Sequence, residues 1–251
     1  MASEPDTERG GSKQVYHSVD FGSKNSWDDW HLIPSSRPVI NPPSVKTYQV
    51  EIPGGYGSLD LTEVLTGKPM YGNRVGSLEF IVDNGHASWI KIYTDILGYL
   101  HGQTLKLALE DDREYYYEGR LTVNEWKSEE HNSTVTIDYD LYPFKKSIHT
   151  SGEKWLWDPF NFETGIIRTA ADIRVDGSKS VTLPGSGMPV MPKIHATIDT
   201  GSTLSVTVGG NTYALSSGTN MNYNIVLEKD GLTLLFTGNG TVTIDYESGE
   251  L

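Results

Sequence analysis

Cysteine is absent from the chain, which removes disulfides, thiolate nucleophiles and every cysteine-ligated zinc or iron–sulfur site. Positive charge is scarce as well. Lys and Arg number 20 against 33 Asp and Glu, for a formal net charge of −13. Lys145-Lys146 stands as an isolated pair and no basic run exists. Phosphate backbones are bound by clustered Lys and Arg, so no nucleic-acid contact is expected. The acidity suits a soluble surface that stays apart from others until a specific partner is met. Long apolar runs are missing too: nothing approaches the ~18 residues of a membrane helix, and no membrane contact is expected. The start, Met1–Lys13, is polar and charged, unlike a secretory signal. Synthesis in a cytoplasm is the expectation, and the Asn132-Ser133-Thr134 and Asn239-Gly240-Thr241 glycosylation patterns carry no weight there.

Catalytic signatures are equally sparse. There is no Gly-x-x-x-x-Gly-Lys-[Ser/Thr] phosphate loop and no Gly-x-Ser-x-Gly nucleophile elbow. Gly54-Gly55-Tyr56-Gly57 reads as a turn between two strands. The seven histidines, His17, His31, His86, His101, His131, His149 and His195, form no His-x-x-x-His pair. No metal and no cofactor is expected. Asp28-Asp29 and Asp111-Asp112 are adjacent pairs, and neighbours in extended backbone point to opposite faces, so they read as solvated turns. Asp199-Thr200-Gly201-Ser202 matches the active loop of aspartic proteases, where two Asp residues share one proton. Only one copy is present, so a homodimer would have to supply the second. Asp, Thr, Gly and Ser are also favoured turn residues, and a turn joining Ile194–Asp199 to Leu204–Val208 is preferred.

What is present is aromatic and β-forming: 14 Tyr, 6 Trp and 6 Phe. Residues 1–14 lack apolar periodicity and read as a flexible extension. Prolines 34, 38, 42, 43 and 53 mark extended, turn-rich backbone, and between them Val45–Ile52 alternates like a half-buried strand. Trp89, Ile92, Tyr93, Ile96, Leu97 and Leu100 recur every three or four residues, which predicts one helix capped by Ser88 and stopped at Gly102. Strands are expected over Gln103–Leu109, Glu114–Val123 and Thr134–Leu141, with Asp111-Asp112 in the first turn.

From about residue 150 the texture changes to short strands separated by glycine-containing turns. Hairpins are predicted at Asp176-Gly177, Gly209-Gly210-Asn211 and Gly238-Asn239-Gly240, which argues an antiparallel β-sandwich. The boundary is placed between Ser147 and Lys154, giving domains 15–150 and 151–251. The fold class is mainly β with one helix in the first domain. Trp155 and Trp157 lie two apart, hence on one strand face, and offer either a platform for sugar rings or packing at the junction beside Phe160 and Phe162; the junction is favoured.

An ordered series of segments goes further. Phe21-Gly22-Ser23-Lys24-Asn25-Ser26-Trp27-Asp28-Asp29-Trp30 leads to Leu32-Ile33-Pro34, then Glu51-Ile52-Pro53-Gly54 and Tyr71-Gly72-Asn73-Arg74. Tyr115-Tyr116-Tyr117-Glu118-Gly119-Arg120, Tyr142-Pro143-Phe144-Lys145 and Gly238–Tyr246 follow. In order and spacing, this series resembles the distal tail proteins of siphophages and prophages of Gram-positive bacteria. The resemblance spans residues near 18 to 251, and the extension before Tyr16 departs from it.

The resemblance implies a virion structural protein of the tail tip, made in the host cytoplasm and without enzymatic activity. It implies N-terminal domains joined in a hexameric ring, and a C-terminal galectin-like β-sandwich projecting outward. Its implied partners are the tail tube protein, the tail-associated (tail lysin) protein and, in many phages, a receptor-binding protein at the side of this baseplate hub. Trp27, Trp30, Tyr115, Tyr116 and Tyr117 are candidates for contacts between subunits or for the core. The alternative function is a carbohydrate-binding adhesion module acting through the sandwich, and a dimeric protease built on Asp199 ranks below it.

Overall fold

The computed structural model describes residues 17–82, 89–128, 133–152 and 170–251. The 1–14 extension, the proposed cap Ser88, and Trp155 and Trp157 lie outside these residues.

The first half supplies β1 (Val19–Phe21), β2 (Lys24–Asn25), β3 (Leu32–Pro34), β4 (Val45–Lys46), β5 (Gln49–Glu51), β6 (Ser58–Asp60), β7 (Met70–Tyr71), β8 (Arg74–Val82), α1 (Trp89–Leu100), β9 (Thr104–Leu109), β10 (Tyr115–Ser128), β11 (Ser133–Leu141) and β12 (Lys145–Ser147). Seven of these strands lie in the order β2-β1-β9-β10-β11-β8-β3, every pairing antiparallel. Strict alternation drives this sheet: along β11, Val135, Ile137, Tyr139 and Leu141 are buried while Thr134, Thr136, Asp138 and Asp140 turn away.

The buried face meets α1. The predicted stripe is the one that packs, with Trp89, Ile96 and Leu100 buried and Ile92, Tyr93 and Leu97 against the same core. Phe21 centres the cluster, 6.1 Å from the Trp30 ring and 6.0 Å from Phe80, the latter edge-on. The predicted turn at Asp111-Asp112 is a short 3-10 turn, Glu110–Asp112.

The second half holds β13 (Ile173–Leu183), β14 (Lys193–Ile198), β15 (Leu204–Val208), β16 (Asn211–Ala214), β17 (Gly218–Asn220), β18 (Leu232–Asp245) and β19 (Gly249–Glu250). β13 to β18 make one curled antiparallel sheet around Val175, Val206, Leu234, Phe236, Val242 and Ile244. The chain is thus mostly β with one α-helix among the described residues.

Two predicted hairpins are not hairpins. Asp176-Gly177 and Gly238-Asn239-Gly240 sit in mid-strand, because β13 and β18 pair without interruption from Ile173↔Val242 to Leu183↔Leu232. Gly177 (φ 75°) lies directly opposite Gly238 (φ 122°). Glycine accepts positive φ without a Cβ clash, so the same chemistry that reverses a chain here bends two strands together. On the other edge of β18, β14 and β15 lie end to end, with residues 199–203 looping out between them. The third prediction holds: Gly209-Gly210 turns β15 into β16.

The strand expected over Val45–Ile52 is also corrected. It is two short pieces, β4 paired with β7 and β5 with β6, and all of their residues on the 45–51 side are exposed. Alternation there reflects no core, because among the described residues this segment's side chains stay exposed.

Candidate functional site

From Asn41 to Asn73 no residue is buried. The two ladders hold this segment as an arm, with Gly54-Gly55-Tyr56-Gly57 turning β5 into β6 as the sequence indicates. Its backbone is well satisfied. Tyr48 N–H donates to Thr62 Oγ1, Leu61 N–H to the Tyr48 carbonyl, and Gly72 N–H to the Ser44 carbonyl. The Thr62 hydroxyl and then its backbone N–H hold the Asp60 carboxyl below its usual range. At the base, Tyr71 meets Phe144 edge-on at 6.0 Å.

The arm's apolar side chains, by contrast, face solvent. Tyr48, Ile52, Tyr56, Leu59, Val64 and Leu65 are all exposed, Leu65 to 96%. Large apolar side chains gathered in one exposed segment are the kind of surface that marks a contact with something else. Burying six such side chains would contribute on the order of 10 kcal/mol before the cost of association.

The predicted aromatic residues fall elsewhere. Trp30 is core, 2% exposed. Trp27 is half-buried and edge-on to His31 at 5.2 Å. Tyr115 and Tyr116 stand at the junction of the two halves: their hydroxyls donate to Glu250 Oε1 at 3.0 Å and Glu247 Oε2 at 3.1 Å. Burial, then the Glu250 hydrogen bond, pushes the Tyr115 phenol up to about 12, and burial with the Glu247 charge raises Tyr116 as well. Tyr117 points back to the first half, where the Arg74 guanidinium lies 5.4 Å from its ring centre. Arg74 itself is buried and donates to the carbonyls of Pro143 and Asn41, a role that no local pattern marks.

Asp199 is engaged in a way that opposes acid–base use. Both carboxylate oxygens take hydrogen bonds from Arg174, at 3.0 and 2.6 Å. That fork lowers the Asp199 pKa. Sharing a proton with a second Asp requires one carboxyl of the pair to be raised instead. Beside the junction, an open cleft of about 580 Å³ is lined by Arg120, Asp140, Tyr142, Lys146, Met188 and Met191, among others. Its polar groups pair within the chain: Lys146 with Glu118, Asn73 with Asp140, and Arg120 with the Gly102 carbonyl. Among the described residues no group of three His, Asp or Glu is placed to hold a metal ion. No helix among them is long and apolar enough to cross a membrane.

No family model matches the sequence, and no curated protein matches it. The fold is similar to that of the crystal structure of SPP1 Dit (gp 19.1), described as a paradigm of the hub adsorption apparatus in phages infecting Gram-positive bacteria. The TM-score is 0.63 at 14% identity, over 95% of this chain and 100% of that one. At that identity the likeness is one of architecture: this chain has a Dit-like fold across nearly its whole length.

Proposed function

We propose that the chain is a structural distal tail protein of a long non-contractile phage or prophage tail. Residues 15–150 form a hexameric ring at the tail tip, and residues 151–251 project from it as a galectin-like module. The ring continues the tail tube on one face, receives the tail-associated protein on the other, and carries receptor-binding proteins at its side. The Dit-like fold supports this reading. The observation that carries it is the arm, whose apolar side chains its own chain leaves uncovered. An arm on one subunit reaching a different surface of the next is a head-to-tail contact, and such contacts close into rings by rotation.

Light scattering over a concentration series, followed by negative-stain imaging of the largest species, tests it. Sixfold rings or stacks of rings are the expected result, and a Val64→Ser, Leu65→Ser variant stays monomeric with an unchanged circular dichroism spectrum. Rings that persist in that variant would remove the arm from the contact. A strict monomer at high concentration, also in the presence of tail tube protein, would sink the hub reading.

A further inference from the structure

β19 belongs by sequence to the second half but by pairing to the first. It adds to β12, with Lys145↔Glu250 and Lys146↔Gly249 in register, and β12 in turn pairs with β10. On its other side β19 meets the 186–188 loop of the second half. Met188 N–H donates to the Gly249 carbonyl at 3.0 Å, and Gly249 N–H donates to Ser186 Oγ at 3.2 Å. The strand is therefore inserted between the two halves and hydrogen-bonded to both.

The residues just before it work in the same way. Ser147 N–H donates to the Ser248 carbonyl, and Ser151 N–H to the Tyr246 carbonyl. Ser151 Oγ donates to the Ile244 carbonyl at 3.0 Å while accepting from Tyr246 N–H at 2.9 Å. Tyr115 and Tyr116 reach across to Glu250 and Glu247. Space at the insertion is tight. A Cβ on Gly249 would lie 2.9 Å from both the Lys145 carbonyl oxygen and Met188 Cβ, and one on Gly187 would lie 3.0 Å from the Gly249 carbonyl oxygen. Only glycine lets the backbones approach this closely from both sides.

We propose that Glu247–Leu251 is a releasable clasp, which sets the orientation of the second half relative to the first by standing between β12 and the 186–188 loop. Its contacts are backbone hydrogen bonds and a few polar side chains, with little apolar burial past Tyr246. It can therefore open without unfolding either core. Opening frees the second half from β12, so that one chain presents its second sheet at more than one angle. The clasp does not depend on how many copies assemble.

Small-angle X-ray scattering and amide hydrogen exchange on the full chain, a Gly249→Val variant and a variant lacking Glu247–Leu251 provide the test. In both variants the maximum dimension grows, while Leu121, Ile137, Val206 and Phe236 amides stay as protected as in the parent. The Ser147 amide exchanges at least about fivefold faster, the factor expected from one lost hydrogen bond of about 1 kcal/mol. A folded variant with the parent's scattering curve would overturn the proposal. Loss of protection at Val206 and Phe236 would overturn it too, since the segment would then be part of the second core and not a clasp.

Discussion

Replacing Gly177 and Gly238 by alanine, one at a time, separates two costs at the bend of the second sheet. The residues are direct partners in the β13–β18 ladder, and both have positive φ, 75° and 122°. At Gly177 an added Cβ meets nothing within 4 Å, so only backbone strain is paid, about 1–2 kcal/mol. At Gly238 the Cβ would stand 1.9 Å from the Thr203 carbonyl oxygen and 3.0 Å from Leu204 Cα. Those are backbone atoms at the start of β15, which pairs with Gly238 there. The strand must move, which adds about 1–3 kcal/mol of overpacking to the same strain. Gly238→Ala thus costs about 2–5 kcal/mol, a large part of a typical stability of about 5–15 kcal/mol. Urea denaturation followed by near-ultraviolet circular dichroism reads the difference. Equal losses, or a milder loss for Gly238→Ala, would refute the idea that β15 is seated against glycine at the bend.

Three further expectations follow from the junction and the cores. The Tyr115 phenol titrates near 10 when unfolded and near 12 when folded, so between those values the native state binds more protons. Stability contributed there is whole below pH 10 and is lost as pH rises through about 12. Melting temperatures at pH 9, 10.5 and 11.5 should therefore fall less steeply in Tyr115→Phe, Tyr116→Phe than in the parent, and parallel curves would contradict the junction geometry. Arg74→Ala removes a buried donor from two carbonyls and a ring contact; a loss of about 2–4 kcal/mol is expected in chemical denaturation. Asp199→Asn breaks an exposed ion pair and should leave the melting temperature unchanged at pH 7, with no acid-optimum proteolysis in either protein; activity abolished by the substitution would restore the protease reading.

The helix was legible because its information is local. Six apolar residues at helical spacing describe one face, and that face finds the core. The strands β9, β10 and β11 were legible for the same reason, as was the Gly209-Gly210 hairpin. Trp30 and Tyr116 could be picked out as important aromatic residues but not assigned. One is core and the other sits at the junction, and only the fold distinguishes the two.

Composition and local pattern determined that this is a β-rich, acidic chain with a helix at Trp89–Leu100 and many glycine turns, and the order of its segments pointed to a distal tail fold. Tertiary structure decided whether glycines 177 and 238 reverse the chain or bend it, since positive φ permits both and only the continuous register selects one. It also decided that the alternating Val45–Ile52 segment is exposed, because alternation records which side chains share a face and not what covers that face. The clasp was invisible for a third reason. Its hydrogen bonds join residues about a hundred positions apart, Tyr115 to Glu250 and Ser147 to Ser248, and no window on the sequence holds both ends of such a contact.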